Sequence, residues 1–357
     1  MITTDCYSLE WIRSKQKEHK VDDPILLEKV IHAFILLEAL KVNGLDFIFK
    51  GGTSMLLLLD EPHRFSIDID IIVPHRNARL SELFGKIVGQ TKFYKVEEDE
   101  RYAGLDILKA HYKFYYHSAL GTFQENAYVL LDILYEDDPY PVVIEKAIYS
   151  PFLSLEGKPV AVRLPNVNSI LGDKLTAFAP KTIGVPYQRG KRDMTKEIMK
   201  QLYDLGSLFI LQDNPEEVRQ SFLTVAEKEI RYRGLDDCSP VDVLEDSIRA
   251  GHILSARGKV EKPEFQLLTQ GISKLKPSIY GGKFQLEDAI IAVSRVAYLA
   301  SLLKLDNPDS AAHYTGVEQM ANLIIPNSPP YNLHNKLKKS LPEAFYYWYQ
   351  VVKLAEK

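Results

Sequence analysis

The sequence predicts an α/β (α+β) fold with a mixed sheet, followed by a mainly helical C-terminal domain. Short runs rich in β-branched and aromatic residues alternate with helical segments up to about residue 165, as expected for strands and their connections. From Val167 onward, apolar residues recur almost everywhere at helical spacing. We therefore expect a core domain over residues 1–165 and a helical domain over 166–357 that contributes residues to a cleft.

In the first half, the clearest element is a helix over Pro24–Val42. Asp23 can cap this helix, and proline is favoured at the first helical position. Asn43-Gly44 ends it and leads into a strand. We expect further helices at 5–20 and 80–89, and strands at 47–49, 66–73, 92–96, 110–116, 128–134 and 161–165. The strands over 92–134 are expected to form an antiparallel meander.

In the second half, the pattern predicts a succession of helices with two loops. The helices are expected at 169–177, 194–211, 215–231, 240–256, 262–275, 285–303 and 340–355, and the loops at 179–193 and 307–332.

The composition excludes several classes of protein. A formal net charge of −4 gives no overall nucleic-acid signature, so any basic surface must be local. Cys6 and Cys238 lie far apart and form neither a metal-ligand spacing nor a disulfide framework, which fits a reducing cytoplasm. The first 20 residues lack the apolar segment of a signal peptide. No apolar run approaches the ~18 residues of a membrane span, so we expect a cytoplasmic protein without a membrane partner.

The stretch over residues 47–73 reads FIFKGGTSMLLLLDEPHRFSIDIDIIV, and it carries the functional prediction. In the strand expected over Ser66–Val73, Asp68 and Asp70 alternate with isoleucines. Strand side chains alternate between faces, so the two aspartates share one face, and the core side receives Ile67, Ile69 and Ile71. Adjacent carboxylates repel each other, and a divalent cation such as Mg²⁺ or Mn²⁺ removes that cost while it binds substrate phosphates.

The same stretch predicts a phosphate cradle. Without a Cβ, Gly51-Gly52 allows the backbone to approach a phosphate, and the helix expected to open at Thr53-Ser54 presents N–H groups to an anion. The alternative is a plain Gly-Gly turn beside an exposed Asp-x-Asp strand, but the complete unit favours the functional interpretation. The expected nucleotide-binding residues are Gly51, Gly52, Thr53, Ser54, Arg64 and Ser66.

A Gly-Gly-Thr/Ser turn, a short helix and a strand with Asp-x-Asp resemble the nucleotidyltransferase (DNA polymerase β-like) superfamily. The form KGGTS…RFSIDIDI is similar, more narrowly, to the AbiEii/AbiGii toxins. These are the toxins of type IV toxin–antitoxin and abortive-infection (phage-defence) systems, and they include the mycobacterial MenT enzymes. The resemblance covers roughly residues 25–210 and implies a polymerase β-like nucleotidyltransferase core that uses an NTP and Mg²⁺.

Three further residues match positions of this family. Asp132, in LLDIL, matches the third acid on a neighbouring strand, which would complete the metal site or act as general base. Lys174, in GDKL, resembles the family lysine that binds the triphosphate, although a solvated helical lysine is the ordinary alternative. Asp204 matches the functional acid of the R-D-x-Y-D-L helix, but Lys200-Gln201 replaces its Arg-Asp. A buried pair of Asp204 with Lys174 would suit a structural role as well as a catalytic one.

A basic segment follows Lys174. It reads PKTIGVPYQRGKRDMTKEIMK, and the cations expected to contact RNA are Lys181, Arg189, Lys191 and Arg192. A charged run is usually solvated surface, yet this one lies within a chain of negative net charge. Such a patch suits an RNA backbone, with Tyr187 available for stacking.

The resemblance implies transfer of an NMP to the 3′ end of tRNA, which would block translation. It also implies an antitoxin encoded alongside, with which we expect no stable complex. In this mechanism Asp204 or Asp132 assists deprotonation of the acceptor hydroxyl. Two alternatives stay open: transfer to a protein hydroxyl or a small molecule, and a non-catalytic nucleotide-binding module.

Overall fold

The structure, a computed structural model, describes residues 1–60, 64–75, 79–99, 109–121, 127–280, 282–306, 308, 310–327 and 329–356. The chain divides into two compact units. The first comprises Met1–Asp138, Val143–Asn166 and Pro277–Lys283, and the second comprises Pro139–Val142, Val167–Lys276 and Phe284–Lys357.

The first unit is built on a mixed sheet. Its described strands are β1 Ile48–Lys50, β2 Ile69–Val73, β3 Phe93–Glu98, β4 Lys109–Tyr116, β5 Ala127–Tyr135, β6 Val143–Ala147 and β7 Ala161–Pro165. They lie in the order β3-β4-β5-β2-β1-β7-β6. The pairs β2–β5 and β1–β7 are parallel and the other neighbouring pairs are antiparallel. The sheet confirms the predicted α/β class.

Helices α1 Leu9–Glu18, α2 Pro24–Val42, α3 Gly51–Leu58 and α4 Leu80–Gln90 complete the first unit. Helix α1 begins at Ser8, whose hydroxyl accepts a hydrogen bond from the Trp11 backbone N–H. Helix α2 has the predicted bounds, and the Asp23 carboxylate accepts from the Ile25 backbone N–H at 2.9 Å. Most of α2 is buried, so packing rather than amphipathic spacing holds it in the core.

The second unit is almost entirely helical. Its described helices are α5 Val167–Ala177, α6 Thr195–Phe209, α7 Pro215–Tyr232, α8 Pro240–Ser255, α9 Lys262–Leu275, α10 Leu286–Leu303, α11 Leu337–Ser340 and α12 Pro342–Ala355. Helix α10 packs against α6, α8 and α12. The aromatic run of α12 is buried, including Phe345 and Trp348 with no exposed area. None of the helices that the structure describes is both long enough and apolar enough to cross a membrane.

Several elements differ from the sequence-based expectation. Strand β6 was not predicted, because it is an edge strand with no fully buried residue and so lacks an apolar alternation. The loop expected at 179–193 contains a short hairpin, β8 Gln188–Arg189 and β9 Arg192–Asp193. Strand β2 begins at Ile69 rather than Ser66, and Ile67 is only half-buried, so Ile67 was wrongly placed in the core.

Candidate active site

Four polar residues lie side by side across the middle of the sheet. On β4, His111 is opposite Asp132 of β5, Asp132 is opposite Asp70 of β2, and Asp70 is opposite Lys50 of β1. Residues opposite each other on neighbouring strands place their side chains on the same face. All four are half-buried, between flanking residues of which many are fully buried. We call this set the polar row. Its central carboxylates repel each other, with an imidazole and an ammonium group at the two ends.

The two glycines of the KGGTS motif allow side chains of predicted site residues to approach the start of α3. Gly51 has φ +77°, and a Cβ there would lie 2.1 Å from Asp70 Oδ2. A Cβ on Gly52 would lie 2.7 Å from Ser66 Oγ and 2.9 Å from Arg64 Nη2. Glycine is therefore favoured at these two positions because a Cβ would collide with the side chains of Asp70, Ser66 and Arg64. An anionic carboxylate beside a helix N-terminus is also electrostatically favoured.

Helix α3 begins at Gly51, not at Thr53 as expected, because Gly51 makes the turn directly after β1 and Lys50 takes the N-cap position. Thr53 and Ser54 are completely buried. The Thr53 hydroxyl donates to the Asp68 carbonyl at 2.6 Å, and the Ser54 hydroxyl donates to the Gly51 carbonyl at 2.8 Å. The Thr53 hydroxyl therefore ties α3 to the segment that carries Asp68, whereas the Ser54 hydroxyl bonds within the first turn of α3.

The loop before β2 is held from its other side within the same unit. Arg64 is buried, and its Nη1 donates to the Phe65 carbonyl at 2.9 Å. The Phe65 backbone N–H donates to the Ser278 carbonyl at 2.9 Å, and its ring stacks on Tyr280 at 4.2 Å. Asp68 lies just before β2 and is exposed, whereas Asp70 lies inside the strand and is half-buried. The predicted common strand face therefore applies to Asp70 alone.

Asp132 has a partner that the sequence did not reveal. His111 Nδ1 lies 2.7 Å from Asp132 Oδ1, and the two side chains are 20% and 30% exposed. The pairing of β4 with β5 creates this contact, and it could be foreseen only from the register of the two strands. Among the described residues, no three His, Cys, Asp or Glu side chains are grouped as a metal site. A metal shared by Asp68, Asp70 and Asp132 stays a prediction.

The second unit contains the remaining predicted catalytic residues. Lys174 Nζ on α5 lies 2.7 Å from Asp204 Oδ2 on α6, and the side chains are only 7% and 3% exposed. On the same unit, the Tyr140 hydroxyl donates to Asp173 Oδ2 at 2.6 Å. Lys174 and Asp204 thus form a buried ion pair between two helices.

The predicted RNA-binding cations divide into two groups. Arg189, Lys191 and Arg192 are exposed on the β8–β9 hairpin, where Arg189 pairs with Arg192 across the strands. Three cations therefore crowd one short turn, which we call the basic hairpin. Lys181 is also exposed, but its Nζ lies 2.9 Å from Glu264 Oε1.

Glu264 forms several hydrogen bonds and ion pairs with residues of the second unit. It accepts from the Tyr187 hydroxyl at 3.1 Å and from two nitrogens of the Arg249 guanidinium at 2.8 and 3.2 Å. Partial burial opposes ionisation, but Arg249 and Lys181 hold the pKa of Glu264 at about 2. Tyr187 is therefore a half-buried anchor of the hairpin rather than an exposed stacking platform.

Comparison with known protein families supports the chemistry suggested by this site. Residues 35–276, more than half of the chain, match the family model described as "Nucleotidyl transferase AbiEii toxin, Type IV TA system". The chain therefore belongs to the AbiEii family of nucleotidyltransferase toxins. This confirms the family indicated by the KGGTS and SIDID motifs, and it identifies the protein class as a transferase of nucleotidyl groups.

Solved structures show more distant likenesses. JHP933 from Helicobacter pylori is 16% identical, with a TM-score of 0.43 over 79% of this chain and 93% of that one. A putative nucleotidyltransferase from H. pylori is 16% identical, with a TM-score of 0.42 over 78% and 92%. An antigenic nucleotidyltransferase-like protein from Paracoccidioides brasiliensis is 15% identical, with a TM-score of 0.35 over 59% and 93%. No curated protein matches the sequence.

Proposed function

We propose that this toxin transfers an NMP from an NTP to the 3′ end of tRNA and thereby blocks translation. Membership of the family supports nucleotidyl transfer in general; the acceptor and its consequence are our proposal. The observation that carries the proposal is the polar row, in which Asp70 lies against the glycine-rich start of α3 and beside Asp132.

The residues present fit a divalent cation. Asp68 is exposed and Asp70 half-buried, and Mg²⁺ typically takes one or two carboxylates together with substrate phosphate oxygens. The opposed carboxylates of Asp70 and Asp132 also gain from a cation nearby. We therefore assign Asp68 and Asp70 as the residues that would hold Mg²⁺ or Mn²⁺. When bound, such an ion neutralises phosphate charge and orients the phosphate oxygens.

In the proposed reaction, the 3′ hydroxyl oxygen of the acceptor forms a bond to the α-phosphorus of the NTP. The bond from that phosphorus to the α–β bridging oxygen breaks, and pyrophosphate leaves with the electron pair. The hydroxyl proton passes to a carboxylate or to solvent. Asp132 suits this proton better than Asp204, because Asp132 is 30% exposed whereas Asp204 is 3% exposed and paired with Lys174.

The basic hairpin supports an RNA acceptor. Its three cations are exposed, and Arg192 Nη2 lies 3.7 Å from Glu197 Oε1. Its base is fixed, since Asp193 accepts from the Thr195 backbone N–H and hydroxyl and lies 2.9 Å from Lys274 Nζ. These bonds lower the pKa of Asp193 to about 2. A rigid turn with clustered cations suits a phosphate backbone.

The binding of the triphosphate by Lys174 stays a prediction from the resemblance, because its described partner is Asp204. The antitoxin, and the absence of a stable complex with it, are likewise proposed from the family alone. Transfer to a protein hydroxyl or to a small molecule is the alternative enzymatic function, and a non-catalytic nucleotide-binding module is the remaining one.

The test is incubation of the purified protein with Mg²⁺, each labelled NTP in turn and total tRNA. Asp68→Ala and Asp70→Asn should abolish labelling of tRNA, whereas Asp46→Asn, at an exposed aspartate paired with Arg163, should not affect it. Label on protein would support the alternative enzyme, and NTP binding without any transfer would support the binding module.

Reversal of the hairpin charges tests the acceptor separately. The triple variant Arg189→Glu, Lys191→Glu and Arg192→Glu should lose most tRNA labelling. A plot of the logarithm of its tRNA affinity against the logarithm of salt concentration should be less steep by about 2, since each single-strand phosphate contact contributes about 0.7. The control reverses three scattered exposed lysines, Lys86, Lys158 and Lys353, which changes the net charge equally. Equal loss in both triple variants would contradict a specific role for the hairpin.

A further inference from the structure

We propose that His111 is a positioning residue in the transfer reaction. Its imidazole holds the Asp132 carboxylate in the orientation that the reaction needs. This inference rests on the proposed function and adds a residue to it. His111 lies at one end of the polar row, and its Nδ1 is 2.7 Å from Asp132 Oδ1.

The hydrogen bond from His111 makes the two carboxylate oxygens of Asp132 unequal. Oδ1 is bound to the imidazole, and Oδ2 has no hydrogen-bond partner in the part of the chain that the structure describes. A carboxylate only accepts hydrogen bonds, so His111 Nδ1 carries the hydrogen and the ring is fixed in one orientation. A carboxylate tied at one oxygen has lost most of its freedom to rotate, and it presents the other oxygen in a defined direction.

The Asp132 carboxylate needs a partner to keep this orientation, because the Asp70 carboxylate beside it repels it. Asp70 is directly opposite Asp132 on β2, and like charges in that position repel each other. Without the imidazole, the Asp132 carboxylate would turn away from Asp70 and towards solvent. The imidazole donates from the side of β4, opposite to β2 in the strand order, and so holds the carboxylate in the row.

The pairing of β4 with β5 fixes the backbone position of His111. The ladder between β4 and β5 runs without interruption from Lys109 to Tyr116, and the residue next to His111, Ala110, is buried. Partners that orient metal-binding side chains typically affect activity by about 10- to 100-fold. We expect an effect of that size on the rate of transfer, without loss of NTP binding.

The experiment compares His111→Leu with His111→Asn. Leucine removes the donor, and we expect kcat to fall about 10- to 100-fold while KM for the NTP is unchanged. The asparagine side-chain amide can place a donor near the position of Nδ1, so His111→Asn should recover most of the rate. His117→Leu, at an exposed histidine just beyond β4, is the matched control and should behave as wild type.

A double-mutant comparison tests whether His111 acts through Asp132. In the background of Asp132→Asn, His111→Leu should cause little further loss, because the carboxylate that it orients is already absent. Independent losses that multiply would overturn the inference, as would a wild-type kcat in His111→Leu or an equal loss in the leucine and asparagine variants.

A second measurement does not depend on turnover. In protein with ¹⁵N-labelled histidine, the NMR spectrum of wild type should show His111 with its hydrogen on Nδ1, and Asp132→Ala should remove that signature. Failure to see this difference would overturn the contact itself. Rates are compared on whichever acceptor the wild type labels, so a protein acceptor would contradict the proposed RNA function while His111 is still tested. A wild type without any transfer contradicts the proposed function and the role of His111 in it.

Discussion

Each unit contains a predicted catalytic aspartate that contacts an ionisable side chain, but the two environments are opposite. In the first unit, Asp132 is 30% exposed and its partner His111 occupies one of its oxygens. In the second, Asp204 is 3% exposed, and its partner Lys174 is itself 7% exposed. One aspartate keeps access to solvent, whereas the other is enclosed with its counter-charge.

From this difference we infer that Asp132 is the better candidate for a role in the reaction and that the Lys174–Asp204 pair has a structural role. A charge that a substrate must reach has to keep part of its surface open, and the polar row does so at the centre of the sheet. A buried pair whose charges satisfy each other holds two helices together, since removal of either charge leaves the other uncompensated in a poorly solvating interior. The sequence suggested a buried pair of Asp204 with Lys174, but it gave no sign of the contact between Asp132 and His111.

The largest effect should come from breaking the buried pair. Lys174→Met removes the cation that lies 2.7 Å from Asp204 Oδ2, and we expect the free energy of unfolding to fall by about 3–5 kcal/mol. Lys174→Met combined with Asp204→Leu removes both charges, and its stability should return close to that of wild type. Urea denaturation of the three proteins measures the difference.

The double variant also separates the structural role of the Lys174–Asp204 pair from a catalytic one. If it folds normally and loses transfer, at least one member of the Lys174–Asp204 pair has the catalytic role that the family resemblance implies, beyond the structural role of the pair. A single variant as stable as wild type would contradict the structural interpretation of the pair.

The next effect concerns the close approach of Asp70 to α3. In Gly51→Ala, the new Cβ would lie 2.1 Å from Asp70 Oδ2, so the carboxylate must move, and misplacement by about 1 Å can cost about 10²-fold in rate. Gly44→Ala is the matched control, because Gly44 also has a positive φ, +86°, but its Cβ would meet no described atom within 4 Å.

Both alanine variants carry the backbone strain of a left-handed conformation, of order 1–3 kcal/mol. Only Gly51→Ala should also lose transfer, measured as kcat/KM at a temperature where both proteins are folded. Equal activity of the two variants would show that the position of Asp70 against Gly51 does not matter for the reaction.

Much of the fold follows from local signals. Helix α2 has the predicted bounds, because Asp23 and Pro24 mark its start and a long apolar run fills it. Strand β7 also has the predicted bounds, Ala161–Pro165. Where such signals are absent the prediction fails: β6 lies at the sheet edge with no buried residue, and nothing in its pattern separates it from a loop.

The candidate site was only partly accessible from the sequence for a different reason. The KGGTS and SIDID motifs are contiguous, and so their residues could be selected together. The contact of His111 with Asp132 depends on the register between β4 and β5, because the two residues are 21 positions apart in the sequence. A register displaced by one residue would send His111 to the opposite face, and no local pattern around His111 fixes it.

The smallest effect concerns one buried histidine in each unit. In the first, His32 is stacked on Tyr116 at 3.6 Å, and burial lowers its pKa to about 4. In the second, His334 lies 2.8 Å from His252, and burial together with that neighbour lowers its pKa to about 3. Burial also lowers the pKa of His252. Both units therefore enclose neutral imidazoles.

Since the folded pKa values lie below the unfolded value of about 6.5, the unfolded chain takes up protons first as the pH falls. Stability is therefore lost below about pH 6.5, and the loss levels off only near the folded pKa values. Between pH 7 and pH 5 each histidine should cost about 1–2 kcal/mol. His32→Gln and His334→Gln should each reduce this loss, measured by urea denaturation at the two pH values, whereas exposed His117→Gln should not. If only one variant reduces it, the buried histidine of that unit alone causes the loss of stability in acid, and the two units differ in acid sensitivity.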